Sequence, residues 1–320
     1  MFFISKKVDL GQYFTIKDTW LKSQIKEFLK NLNTEGVLDP FAGKGNLLDI
    51  AQKLGFKNII GYDIDNSFKW ETNDSLIHIP PTGYLIITNP PYLAKNSAKL
   101  KNSPSYKYFE NNNFTDLYQI ALKCCLDTHD YIIAIVPESF LLSNLFTSRL
   151  YSITVLEENP FNDTDCPVCV ACFNNIENNN TLVYKDDVFI DNLINLKNKK
   201  LIPKNNIKMK FNSQNGQIGV RSVDGVNGTE KIHFALPNEL NYPLNNIKYS
   251  SRSITIIEIE TDKDIEKIIE RSNLILENFR RDTHDLLLSP FKGNNKQGKR
   301  RRRLDYRTAR AIIEKAISEI

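Results

Sequence analysis

Asn89-Pro90-Pro91-Tyr92 is the group of residues in this chain with the most definite chemistry. The Asn89 side-chain oxygen and the Pro90 carbonyl are hydrogen-bond acceptors on adjacent residues, and the prolines fix the backbone so that the carbonyl can point inward. Such a pair suits the two hydrogens of a planar amine or amide nitrogen. The lone pair of that nitrogen is delocalised. Acceptors that draw its hydrogens toward sp3 geometry free the pair to attack an electrophilic methyl carbon in line, and no low-pKa base is required. Tyr92 adds a flat ring for a flat substrate. The tetrapeptide follows the apolar run Tyr84-Leu85-Ile86-Ile87, so it sits at the carboxyl end of a buried strand.

Three further stretches match a nucleoside-bearing ligand. Asp39-Pro40-Phe41-Ala42-Gly43-Lys44-Gly45-Asn46 lies between a strand pattern and a helix pattern. Glycines there let a ligand approach the backbone, and the following helix offers free N–H groups. It is neither a P-loop nor a G-x-G-x-x-G fingerprint, and alone it is a weak signal. The next strand, Ile59-Ile60-Gly61-Tyr62, ends at Asp63, where a carboxylate can bind both hydroxyls of a ribose. Asp63 is preferred to Asp65 because it falls at the strand end. Asn73-Asp74 lies between that strand and Asn89.

The elements that must hold these residues alternate in type. Over residues 1 to about 175, short apolar runs alternate with helical patterns, as in a mostly parallel sheet covered by helices. Helix patterns run from Asn46 to Leu54 and after Thr115, a candidate N-cap. Further strands are expected at Tyr131 to Val136, near Ile153 to Val155, and at Val168 to Phe173. The Asn-rich stretch 174–180 reads as a linker. Beyond it lie strand-like runs at 216–220 and 253–259, and helical spacing at 264–279 and 304–320. The expected domains are residues 1–178 and 179–320, the second a smaller α+β module.

Composition narrows the class. The 320 residues are 41% hydrophobic and 25% charged, as in ordinary globular proteins. No run approaches the roughly 18 apolar residues of a membrane span, and the amino terminus lacks a signal-peptide core. A cytoplasmic protein is expected. Net charge is only +4, but Lys292, Lys296, Lys299, Arg300, Arg301, Arg302 and Arg303 form a basic run that suits a polyanion. Lys299 through Arg303 are candidate phosphate contacts, as are Lys95 and Lys99 just after Tyr92. Cys166, Cys169 and Cys172 have C-x2-C-x2-C spacing, but neither a fourth cysteine nor a nearby histidine completes a site. Val168 to Phe173 reads as core strand, so no metal is expected. The four histidines share no motif.

In order along the chain, Gly11-Gln12-Tyr13-Phe14-Thr15, Asp39 through Gly45, Gly61-Tyr62-Asp63-Ile64-Asp65, Asn73-Asp74 and Asn89-Pro90-Pro91-Tyr92 resemble the gamma-class N6-adenine DNA methyltransferases of type II restriction–modification systems. Thr115 to Tyr118, Ile135 to Phe140 and Phe161 to Thr164 match more weakly, and the remainder of the chain carries no signature. The resemblance implies a Rossmann-like α/β fold with a mostly parallel seven-stranded sheet, followed by a target-recognition module. It implies S-adenosyl-L-methionine as cofactor. Tyr13, Phe14 and Thr15 would close over its methionine part, which Asp39, Phe41 and Gly43 would flank. Asp63 would hold the ribose and Asp74 the cofactor adenine, with Ile64 also among the cofactor-binding residues. Asn89, Pro90 and Tyr92 would be catalytic, with Asn89 also beside the cofactor. Tyr92 and Phe161 would stack on a base flipped out of the duplex. Double-stranded DNA is the implied substrate and a separately encoded restriction endonuclease the implied companion, with the methylase acting as a monomer.

Other substrates fit the same core. A release-factor glutamine or an adenine in RNA presents a similar planar nitrogen. A glutamine enzyme would carry a helical domain before the cofactor motifs and no large module after them. N4 of cytosine is disfavoured by Asn rather than Ser before Pro-Pro-Tyr. A DNA-binding subunit with a vestigial pocket is disfavoured because each pocket position is intact.

Overall fold

Strands buried on both faces read as continuous apolar runs, and those runs form the centre of the sheet. The computed structural model describes residues 13, 15, 17–240 and 253–320. Contacts divide the chain into two compact units, one ending at Leu193 and the other spanning Ile194–Ile320.

The strands of the first unit are β1 (Gly36–Asp39), β2 (Asn58–Asp63), β3 (Glu71–Thr72), β4 (Leu85–Thr88), β5 (Ile132–Pro137), β6 (Leu150–Val155), β7 (Val168–Phe173), β8 (Leu182–Lys185) and β9 (Val188–Asn192). They form one sheet in the order β3-β2-β1-β4-β5-β7-β6-β8-β9. Pairing is parallel from β3 through to β5 and between β6 and β8. It is antiparallel where β7 meets β5 and β6, and where β9 meets β8. The sheet is mostly parallel, as expected, but has nine strands among the described residues rather than seven. β8 and β9 are the additions, and the compact unit therefore runs past the expected boundary at 178. The Asn-rich stretch is a loop between β7 and β8 of one sheet, not a linker between units.

The helices of this unit are α1 (Ser23–Lys30), α2 (Asn46–Lys53), α3 (Lys95–Leu100) and α4 (Leu117–Thr128), with a 3-10 turn at Pro104–Phe109. The N-cap of α4 is Asp116 rather than Thr115. The Gln119 side chain accepts the N–H groups of Thr115 and Asp116, which draws Asp116 into the capping position. α5 (Leu193–Asn198) lies where the chain passes into the second unit.

The second unit has the strands β10 (Met209–Phe211), β11 (Ile218–Arg221), β12 (His233–Ala235) and β13 (Ile254–Ile259), in an antiparallel sheet ordered β10-β13-β11-β12. A separate hairpin pairs β14 (Ser289–Asn294) with β15 (Arg300–Arg303). Helix α6 (Ile265–Asp282) buries Ile268, Ser272, Ile275, Leu276 and Phe279 at helical spacing, and Asp264 caps it by accepting the N–H groups of Glu266 and Lys267. Helix α7 (Tyr306–Glu319) is capped by Asp305. No helix among the described residues is long and apolar enough to cross a membrane.

Candidate active site

Strand order reverses between β1 and β4, and in open α/β sheets the crevice at the carboxyl ends of such strands is where ligands bind. β1 ends at Asp39, β2 at Asp63, and β4 runs into Asn89. A cleft opens there, lined by Tyr13, Phe41, Gly43, Asp63, Ile64, Asn73, Asp74 and Asn89. A smaller cavity beside it is bounded by Tyr13, Thr15, Asp39, Phe41, Lys44 and Asn89. The expected cofactor-binding residues therefore converge, except Phe14, which lies outside the described residues, as do Gly11 and Gln12.

Asp39 builds the turn and borders only the smaller cavity, not the main cleft. It is 2% exposed and accepts from the Thr88 hydroxyl (2.7 Å) and the Phe41 N–H (3.0 Å). Burial pushes its carboxyl up to about 7 against those two hydrogen bonds. Asp63 accepts the Gly43 N–H (2.8 Å) on one oxygen and the Asp65 N–H (2.8 Å) on the other. A carboxylate has about four acceptor sites over its two oxygens, so Asp63 keeps acceptor capacity for a ligand hydroxyl. Burial raises the Asp63 pKa above its ordinary value.

Two cleft-building residues were not visible in the sequence. Trp70 donates its ring N–H to the Gly43 carbonyl (2.9 Å). Its ring occupies the space a Cβ would need at Gly45, 2.5 Å away, and at Gly61, 2.6 Å away. Gly45 is also left-handed, at φ +85°. Tyr108, on the 3-10 turn, donates its hydroxyl to Asp74 (2.7 Å) and lines the cleft. Burial, and then Asp74, hold the Tyr108 phenol above its ordinary range. Tyr108 belongs to the run Pro-Ser-Tyr-Lys-Tyr-Phe, whose aromatic density was the one signal in the sequence.

At Asn89-Pro90-Pro91-Tyr92, the Asn89 side-chain nitrogen donates to the Tyr13 carbonyl (2.5 Å), which fixes which end of the amide is oxygen. The Tyr92 hydroxyl lies 2.5 Å from that oxygen and 2.6 Å from the Ile135 carbonyl. One phenol proton thus serves two acceptors. Tyr13, Tyr92 and Phe161 form a triangle of rings with centroids 5.8 to 6.3 Å apart. Phe161 is held there by a bridge between its backbone and that of Thr15. The Asp116 carboxylate accepts the Leu93 N–H (3.0 Å), pinning the residue after Tyr92, and burial pushes its pKa up to about 6.

The expected phosphate contacts separate into two groups. Lys95 turns back to the Phe109 carbonyl (3.2 Å), whereas Lys99 and Lys299 are exposed. Arg300 and Arg302 are 6% and 1% exposed, so neither side chain is presented to a polyanion. The reason is strand alternation: β15 sends residues 300 and 302 to one face and 301 and 303 to the other. Arg301 lies over the Phe291 ring, 4.9 Å from its centroid, and donates to the Asp224 carbonyl (2.8 Å). Cys169 and Cys172 are buried in β7, where odd and even positions face opposite sides of the sheet, so the two thiols cannot converge on one ion.

The residues present fit S-adenosylmethionine. Among the described residues the buried Thr15 hydroxyl has no hydrogen-bond partner; it lies beside the smaller cavity, where the surrounding donors and acceptors suit an amino-acid zwitterion. Asp63 has lone pairs for a ribose, and Ile64, 44% exposed, offers an apolar platform in the cleft.

No family model matches the chain. The type II methyltransferase M.HincII of Haemophilus influenzae is 33% identical over 143 residues, which are 43% of this chain and 26% of that protein. The type II methyltransferase M.HindII of H. influenzae strain Rd is 33% identical over 143 residues, 25% of its length. The chain thus matches about a quarter of the length of these curated relatives. Among solved structures, the type I restriction–modification methyltransferase subunit from Streptococcus thermophilus aligns with a TM-score of 0.42 at 17% identity, over 55% of this chain and 48% of that one.

Proposed function

We propose that this chain is a site-specific DNA adenine-N6 methyltransferase of a restriction–modification system. The observation that carries the reading is the convergence of Asn89 and Pro91 with Asp63 and Asp74 on one cleft at the reversal of the sheet, with Asn89 also meeting Thr15 at the smaller recess beside it. Similarity of the 143-residue segment to type II methyltransferases supports the same reading. When bound, S-adenosylmethionine supplies an electrophilic methyl group.

The chain's own residues do the remaining work. Thr15, Asp63 and Asp74 hold the cofactor's polar groups. The Asn89 oxygen and the Pro90 carbonyl accept the two hydrogens of the adenine amine and orient its lone pair. Tyr92 and Phe161 flank the flipped base. Because Tyr92 already has a second acceptor in Ile135, its proton can stay there when the Asn89 oxygen turns to the amine. The base takes its place by parting the three rings that now touch. Pro90 and Tyr92 are buried and Asn89 is half-buried, which limits the water that competes for the two acceptors.

The test is to incubate the protein with methyl-labelled S-adenosylmethionine and, separately, duplex DNA, tRNA, rRNA and a release factor. Label in DNA, recovered as N6-methyladenine, is expected. Label in RNA or protein but not in DNA would overturn the proposal, and N4-methylcytosine would correct the base.

A further inference from the structure

The proposed reaction leaves open what selects the sequence around the target adenine. The tip of the β14–β15 hairpin is a preformed loop. The Asn295 side-chain oxygen accepts the N–H groups of Gln297 and Lys299, both at 3.0 Å. The Asn295 backbone N–H donates to the Lys299 carbonyl (2.9 Å), and the Asn294 amide donates to the Gly298 carbonyl (2.8 Å). Gly298 takes φ +79° with open space around it. These bonds engage the Asn295 side-chain oxygen and the Asn294 amide nitrogen and leave Lys296, Gln297 and Lys299 exposed at the turn, with Lys292 exposed on the strand behind them.

A second loop, 224–231, is stitched to this tip. Lys296 N–H donates to the Val226 carbonyl (2.9 Å), and Asp224 exchanges backbone and side-chain bonds with Arg302 (both 3.1 Å). Gly228 approaches so closely that a Cβ there would lie 2.9 Å from the Gln297 amide. Beneath, the Arg280 guanidinium grips both Asp224 oxygens (2.9 and 3.0 Å). The second loop exposes Val226, Asn227, Thr229, Glu230 and Lys231 beside the hairpin.

The combined surface carries Lys231, Lys292, Lys296 and Lys299. The acids of the two loops are already engaged, Asp224 by Arg280 and Glu230 by Arg221 (3.1 Å). It also presents the exposed amides of Gln297 and Asn227. Lysines bind phosphates and fix register, whereas side-chain amides pair with adenine edges. A two-stranded ribbon fits the major groove of B-form DNA.

We propose that the Lys296–Lys299 hairpin tip and the Asn227 loop together form the base-reading element of this protein, inserted in the major groove of duplex DNA. Gln297 and Asn227 read base edges, Val226 offers an apolar contact for a thymine methyl group, and the four lysines hold the flanking phosphates. This assignment rests on the DNA methyltransferase reading above.

The experiment starts from cells expressing the unaltered chain, whose methylated motif is read by sequencing that detects N6-methyladenine. Gln297→Ala and Asn227→Ala are then expected to methylate a motif degenerate at one position, with discrimination at that base falling roughly 10- to 100-fold. Lys292, Lys296 and Lys299 changed together to Ala should weaken binding to all duplexes. The slope of log affinity against log salt should flatten by about 2.7. A variant that stops methylating is scored by competition between a duplex carrying the motif and a scrambled duplex, where the preference must collapse. An unchanged motif in both amide variants, or a retained preference or salt slope, overturns the base-reading assignment. Absence of methylated adenine with the unaltered chain instead overturns the underlying reading.

Discussion

At the scale of single residues, the carboxamide of Asn89 and the hydroxyl of Tyr92 are separable. Asn89→Ala removes an acceptor for the amine and is expected to abolish transfer while S-adenosylmethionine affinity stays within a few-fold, measured by calorimetry. Tyr92→Phe keeps the ring and leaves the Ile135 carbonyl without its buried donor. It should cost about 1 kcal/mol of stability in urea titration, with transfer reduced far less than in Asn89→Ala. A Phe variant as inactive as the Ala variant would mean that the hydroxyl itself takes part in the reaction. Asp39 sets a pH dependence of the opposite kind to a salt-bridged acid. Burial raises its carboxyl from 3.8 to about 7, so between those values the folded chain holds a proton that the unfolded chain has released. Stability contributed by the neutral form is complete below pH 4 and is lost as pH rises through 7. Asp39→Asn keeps an acceptor for Thr88 and Phe41 and should flatten the fall in unfolding free energy between pH 4 and 7. A slope matching that of the unaltered chain would place the titration elsewhere. Residues whose chemistry is local, such as Asn89 and Asp63, were legible because a strand end and a motif spacing mark them. Arg300 and Arg302 were not, because a charge run in sequence says nothing about which face of a strand each member takes.

At the scale of elements, the strand-to-helix turn after β1 depends on a side chain that no motif announces. Trp70 comes from the loop between β2 and β3, where there is no periodicity to read, yet it closes the turn by hydrogen bonding to Gly43 and filling the space beside Gly45 and Gly61. Trp70→Phe retains much of the ring but loses one hydrogen bond, worth about 1 kcal/mol. A roughly five-fold loss of S-adenosylmethionine affinity is expected, with DNA affinity unchanged. Gly61→Ala should do more, since its methyl group would sit 2.6 Å from the Trp70 ring and 3.0 Å from the Ala42 side chain. Unchanged cofactor affinity in both variants would remove Trp70 from the site. β1, β4, β5 and β7 were legible because burial on both faces leaves an unbroken apolar run. β8 and β9 escaped notice because they mix polar and apolar residues near the edge of the sheet, where one side needs no apolar cover.

At the scale of the whole molecule, the two compact units offer separate reporters, because both tryptophans, Trp20 and Trp70, precede Leu193. Fluorescence therefore follows the first unit and far-ultraviolet circular dichroism follows both. The second unit is tied together at Asp224, whose carboxylate receives Arg280 from α6 and the backbone N–H groups of Ile232 and Arg302. Arg280 also binds Asp285 (2.7 and 3.2 Å). The Asp224 and Arg280 side chains are 13% and 19% exposed, and removing Asp224 leaves Arg280 on Asp285 alone and takes the acceptor from the Ile232 and Arg302 N–H groups. Breaking such a pair costs about 3 kcal/mol. Asp224→Ala is thus expected to lower the urea midpoint of part of the dichroism change and to leave the fluorescence midpoint where it was. The same substitution unseats the loop that carries Asn227, so sequence discrimination should degrade while S-adenosylmethionine affinity holds. Should both midpoints fall together, the chain unfolds as one cooperative body, and an Asp224 effect on discrimination would have to be separated from general instability by assaying well below the transition.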